Sequence, residues 1–166
     1  MSIRPRLAVT SLLLLAAFSA QAQNSAVRVE KNISLELANQ IAGATVAACT
    51  ASGYAVTATV VDRAGNVRAM QRADNAGPHT VAASERKAFT SASAKAPTKA
   101  MLENSQKNPG AATLGDIPGF LLLGGGLPIK AGNEVIGAVG VGGAPGGHLD
   151  EQCAQTALDK FKADLS

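Results

Sequence analysis

Residues 55–72 limit the fold more than any other part of the chain. Ala55-Val-Thr-Ala-Thr-Val-Val61 is rich in β-branched side chains, which suit a pleated strand. Asp62-Arg-Ala-Gly-Asn66 then has the make-up of a tight turn, with Gly65 free to take a positive φ. Val67 to Arg72 returns as a second strand. Two strands joined by so short a turn must run antiparallel, so the sheet begins as a hairpin.

The flanking sequence changes period. Ile33 to Ser52 reads as a helix, with Asn32 or Ser34 as its cap and Gly53 at its end. Leu37, Ile41, Ala44, Ala48 and Ala51 recur at helical spacing. A second helix is expected from Thr80 to about Lys95, closed by Pro97. Thr98 can cap a short third helix through about Gln106. Residues 107–119 are rich in Gly and Pro and read as a long loop, a kind that often carries function. Phe120 to Leu123 is expected as a short strand. Leu127 to Lys130 and Glu134 to Gly142 are expected as a further hairpin around Ala131-Gly-Asn133. A last helix begins at His148 or Asp150. The order α-β-β-α-α-β-β-β-α predicts an α/β chain of the α+β type: a mainly antiparallel sheet of about five strands with helices packed on it.

The first residues carry a different signal. Arg4 and Arg6 precede an apolar run from Leu7 to Phe18, and Ala20-Gln-Ala22 follows. This is the pattern of a secretory signal peptide over 1–22, cut after Ala22. Its apolar run is shorter than the roughly 20 residues a membrane span takes. Residues 23–32 read as a flexible lead-in, and 33–166 as one domain. Without Arg4 and Arg6 the fifteen basic residues fall to thirteen against twelve acidic ones. There is no basic run and aromatics are scarce, which argues against a nucleic-acid surface. Export, to the periplasm or beyond, would place Cys49 and Cys153 in an oxidising compartment. Cys49 lies near the end of the first helix and Cys153 near the start of the last. If those helices pack antiparallel, the two cysteines meet and a disulfide follows.

The chemistry of the chain is sparse. Despite seventeen glycines, no G-x-G-x-x-G register or G-K-[ST] is present, so turns and close backbone approach account for them. A flat apolar ligand against the glycines stays open. There is no G-x-S-x-G elbow. His148 and Asp150 read as a solvated helix start. His79, one of two histidines, stands behind Gly77-Pro78 where a helix begins. The positive end of the helix dipole there favours a neutral ring, whose free nitrogen can coordinate iron. Arg86 and Lys87 follow two turns on, where cations could meet the carboxylates of a metalloporphyrin. A solvent-facing histidine beside ordinary surface charges is the plainer alternative.

Several segments together resemble one family. These are Val60-Val-Asp-Arg-Ala-Gly-Asn66, Ala76-Gly-Pro-His79, Ser84-Glu-Arg-Lys-Ala-Phe-Thr-Ser-Ala92 with Ala96-Pro-Thr98, Gly125-Gly-Leu-Pro-Ile129, Glu134-Val-Ile-Gly-Ala-Val-Gly-Val-Gly-Gly143 and Asp150-Glu-Gln-Cys-Ala154. In order and spacing they resemble the GlcG/HbpS-like heme-binding family, related to the C-terminal domain of PduO-type proteins. The resemblance covers roughly residues 33–163. It implies a profilin-like fold, homo-oligomers of two or more copies, and heme as cofactor. Heme ligation varies among members of that family, and the resemblance places His79 in the segment leading into the central helix, beside the family's ligand region. On the present reading His79 is the candidate iron ligand, Arg86, Lys87 and Lys95 are candidate propionate partners, and Phe120 and Gly125 are candidate pocket residues. The leading expectation is an exported heme-binding protein serving capture, storage or redox sensing. A heme-degrading or small-molecule-converting enzyme, and a ligand-free oligomeric partner-binding module, are the alternatives.

Overall fold

The computed structural model describes residues 26–166. The leader expected over 1–22 and its cut after Ala22 lie outside the described residues. The lead-in is held from Glu30 onward. Glu30 pairs with Arg63, and the Asn32 side chain accepts the Ile33 and Arg63 amides at 3.0 Å each. Ile33 itself donates its N–H to Ile136 O.

Helix α1 runs Leu35–Ala51. Ser34 is its cap, accepting the Leu37 N–H, and Gly53 leaves it at φ +82°. The hairpin follows as β1 (Thr57–Asp62) and β2 (Val67–Arg72). In its turn the Asp62 carboxylate accepts the Ala64 and Asn66 amides, and Gly65 takes φ +85°. Then come α2 (His79–Ala94), α3 (Thr98–Lys107), β3 (Gly126–Ala131), β4 (Glu134–Gly142) and α4 (Gly147–Lys160). Among the described residues the sheet has four strands in the order β2-β1-β4-β3, every pair antiparallel.

The fifth expected strand is the difference. Phe120–Leu123 is apolar, yet its polar groups are taken by helices. Leu121 donates its N–H to Thr90 Oγ1, and Leu123 O accepts from Thr98 Oγ1, each at 2.8 Å. With these groups bonded to α2 and α3, and the Leu123 N–H turned back onto Leu121 O, the segment does not join the strand ladder. Thr98 is accordingly not the cap of α3. Pro97 occupies that position, and Thr98 Oγ1 also accepts the Gly126 N–H.

Successive strand residues point to opposite faces, and the two faces carry different layers. Val60, Val139, Val141, Leu127 and Ile129 pack with Ile41, Ala42, Cys49, Cys153 and Ala154 of α1 and α4. Val61 and Ala138 face the other way, onto Ala88 and Ala92 of α2. The disulfide Cys49–Cys153 forms, with Cα atoms 5.2 Å apart, so the end of α1 meets the start of α4.

Helix α2 lies unusually close to the sheet because the strands beneath it are paved with glycine. A Cβ at Gly140 would collide with Ser84 O, and one at Gly126 with Lys87 O. At Gly142 it would stand 3.2 Å from Ala83 Cβ. The underside of α2 is small and polar to match. Thr80 Oγ1 donates to Gly77 O and Ser84 Oγ to Val81 O. Each hydroxyl has one proton, so Thr57 and Thr59 of β1 are the donors in the 2.7 Å bonds that join them to Thr80 and Ser84.

Candidate functional site

The outward face of α2 is set by that seating. His79 is the first residue of the helix and is exposed. Gly77 makes room for its ring: a Cβ there would lie 2.7 Å from His79 Cε1 and 2.8 Å from Nδ1, but 3.8 Å from Nε2. The Nδ1–Cε1 edge therefore lies against the glycine, and Nε2 is the more distant ring nitrogen. Arg86 comes seven residues later, about 10 Å along the axis and about 20° short of two full turns. His79 and Arg86 thus share one strip of the helix, and both are exposed.

The loop after α3 is strapped to this strip. Arg86 Nη2 donates to Phe120 O at 2.6 Å. Phe120 meets Phe89 edge to face, with ring centroids 6.3 Å apart. Phe89 also fits between Gly65 and Gly119, where added Cβ atoms would stand 2.8 and 3.1 Å from its ring. Phe120 is half-buried, so the aromatic pair forms a firm apolar edge beside the strip. The guanidinium has five N–H donors in all, and the Phe120 carbonyl takes one of its nitrogens.

Lys87 departs from expectation. Its side chain is 2% exposed and lies beneath α2, where it cannot meet a surface ligand. Its Nζ donates to Asp150 Oδ2 at 2.7 Å and to Val141 O at 2.8 Å. Asp150, also 2% exposed, accepts the Ala144 N–H through its other oxygen. The expected solvated helix start therefore holds for exposed His148 but not for Asp150. Burial pushes the Asp150 carboxyl above its ordinary value, while the Lys87 ammonium and the Ala144 amide pull it back in part.

Gly125 is buried over this ion pair instead of lining an open pocket. It sits at φ +123°, and a Cβ would stand 2.8 Å from Lys87 Nζ and 2.9 Å from Asp150 Cβ. Glu151 Oε1 accepts the Lys99 and Gly125 amides, so the start of α4 fastens the Gly124–Gly126 tract to α3. Lys95 caps the far end of α2, about 24 Å from His79 along the axis. It cannot share a compact ligand with that ring. The sequence did carry a signal for Lys87: Thr80, Ser84, Lys87 and Ser91 recur at the three- and four-residue steps of one helix face. Asp150 had no such signal, because its partner lies 63 residues away.

An antiparallel sheet with a close-packed helix on one face and a disulfide-joined helix pair on the other defines the class of protein: a small α+β sandwich whose α2 strip is open to solvent. Residues 33–159 match the family model described as haem degrading protein HbpS-like, and the chain belongs to this family. A structure of a double mutant of Streptomyces reticuli HbpS superposes with a TM-score of 0.77 at 36% identity, covering 95% of this chain and 99% of that one. Protein GlcG of Escherichia coli K12 is 33% identical over 109 residues, which is 63% of this chain and 80% of GlcG. The fold recurs at 23% identity in PduOC, solved as a heme complex, with a TM-score of 0.69 and coverage of 77% of this chain and 94% of PduOC.

Proposed function

We propose that the chain is an exported heme-binding protein that holds the cofactor on the α2 strip, in the service of capture, storage or redox sensing. The observation that carries this reading is the alignment of exposed His79 and exposed Arg86 on one helix face, beside the Phe89–Phe120 edge, in an HbpS-like chain. These residues fit the group. A neutral imidazole nitrogen can ligate iron, a guanidinium can pair with a propionate, and aromatic edges suit a flat macrocycle. Bound heme would supply the redox chemistry, and this chain's residues would bind and orient it. His79 would present Nε2, and Gly77 would fix the ring plane. Arg86 would hold the carboxylates while anchored by the Phe120 carbonyl. The heme bound by PduOC supports the reading, since it sits in a protein of the same fold.

A single exposed strip covers one side of a flat ligand. A homo-oligomer of two or more copies would cover the other, and exposed Ile117 and Leu123 on the neighbouring loop suit such burial. Export agrees with the disulfide, and among the described residues no helix is long and apolar enough to cross a membrane.

The test is hemin titration of the mature protein, followed at the Soret band. Wild type should saturate, and His79→Ala should shift the spectrum and weaken binding. Absence of any saturable change in wild type sinks the heme reading. Identical spectra and affinity for His79→Ala would remove only the ligand assignment.

A further inference from the structure

A second cleft lies at the opposite end of α2. It encloses about 290 Å³ and is lined by Arg63, Lys95, Lys130, Asn133, Glu134 and Val135. Three elements converge there: the end of β1, the C-terminal end of α2, and the β3–β4 turn. Three cations face one carboxylate. Lys95 and Lys130 are exposed and form no ion pair among the described residues.

Two details separate this cleft from an ordinary patch of surface charge. The first is Arg63. Its Nε is fixed at 3.1 Å by Glu30 on the side of the lead-in, which aims the rest of the guanidinium. Its Nη1 is buried and has no hydrogen-bond partner among the described residues. The nearest carboxylate is Glu134 Oε2 at 3.5 Å, beyond the usual length of a charged N–H···O bond. A buried guanidinium donor left unsatisfied is costly, and an anion that reaches it removes the cost. The second detail is Lys95. It takes φ +55°, a left-handed conformation that helix ends usually assign to glycine. The negative end of α2 accounts for a cation nearby, but not for a side chain at that backbone conformation.

We propose that this cleft binds a small dianion, phosphate or dicarboxylate, with Arg63, Lys95 and Lys130 as its cationic contacts. Glu134 is the internal competitor. Half-exposed and too far from Nη1 for a good bond, it covers the guanidinium until a ligand oxygen displaces it. Asn133 adds an amide N–H₂ donor on the same wall. Glu30 is shared between Arg63 and Arg28, so Arg28, Arg63, Lys95 and Lys130 exceed Glu30 and Glu134 by two positive charges, which suits a doubly charged ligand. The planar fork of Arg63 suits carboxylate and phosphate alike. The site lies a helix length from His79, so it does not depend on the heme reading.

The experiment is a titration of the full mature chain with inorganic phosphate and, separately, succinate, read by amide chemical shifts and calorimetry. Saturable shifts at Lys95, Lys130 and Asn133 at millimolar ligand support the proposal, and the tighter of the two probes identifies the source of the dianion. Lys95→Gln combined with Lys130→Gln should weaken binding at least tenfold and keep the fold. Arg63→Lys should weaken it with the Glu30 pair retained, whereas Glu134→Gln should tighten it severalfold. His79→Ala should change nothing. The proposal is overturned if neither probe saturates, or if the double lysine variant binds both probes as wild type does.

Discussion

At the scale of single residues, the glycine before a functional side chain matters as much as the side chain. Gly77 has an ordinary backbone conformation, so alanine is tolerated there by the main chain. Its Cβ, however, would enter the space of the His79 ring at 2.7 Å. Gly77→Ala should therefore turn the imidazole away while leaving thermal stability near that of wild type. Hemin affinity is expected to fall about tenfold, or about 1.4 kcal/mol. Unchanged affinity in a Soret titration would show that the seat of the ring does not control binding. The Lys87–Asp150 pair gives a second residue-scale expectation. Removing one partner leaves the other charge buried, so Asp150→Ala should cost about 3–5 kcal/mol in urea denaturation. A Lys87→Met, Asp150→Leu double variant should recover much of that loss. The pH dependence follows from the raised Asp150 carboxyl. Between its ordinary value of 3.8 and its raised one, the native state keeps a proton that the unfolded chain has released. This carboxyl therefore makes stability fall as pH rises through that window. Compared with Asp150→Asn, wild type should lose stability over the same range. A relative gain would contradict the assignment.

At the scale of elements, the seating of α2 is the feature on which both ends of the helix depend. The helix rests on Gly126, Gly140 and Gly142, with Thr57 and Thr59 donating upward into Thr80 and Ser84. Gly140→Ala inserts a methyl group against Ser84 O, where backbone has to move. Overpacking of this kind costs about 1–3 kcal/mol or more. The expected result is a lowered unfolding midpoint together with weaker hemin binding, because α2 would lift with its strip. Weaker binding alone, with the midpoint unchanged, would argue that α2 does not rest on this glycine. The same elements show what sequence could reveal. The β1–β2 hairpin, the β3–β4 hairpin and α1 with its Ser34 cap were legible, because period and turn chemistry are local signals. Phe120–Leu123 was misread because four apolar residues carry no period, and Thr90 and Thr98, which bond it, lie far away in sequence. Lys87 was misread for a related reason. Residue type suggests surface, and only a long-range partner makes burial tolerable. His79 and Arg86 were legible because seven residues of helix fix their shared face. Gly125 was legible as special, but its neighbour below is an ion pair, and the sequence pointed to a ligand.

At the scale of the whole molecule, the disulfide decides how the two helical layers depend on each other. It closes a loop spanning 104 residues, which contains the whole sheet and α2. Closing a loop of this size restricts the unfolded chain by about 4–5 kcal/mol. The same bond holds the first turns of α4, where Asp150 reaches Lys87 and Glu151 reaches Gly125. Removing it loosens α4 at the end that fastens the glycine tract, yet α2 keeps its own bed on the opposite face of the sheet. Cys49→Ala with Cys153→Ala should therefore lower unfolding free energy by about 4 kcal/mol in chemical denaturation. Where the variant remains folded, its hemin affinity should stay close to that of wild type, since His79 and Arg86 sit on the helix that the bond does not touch. Treatment of wild type with a thiol reductant should reproduce the same pattern. Loss of hemin binding in a variant that still shows a cooperative unfolding transition would mean that the α1–α4 layer shapes the binding face, and that the two sides of the sheet do not act independently.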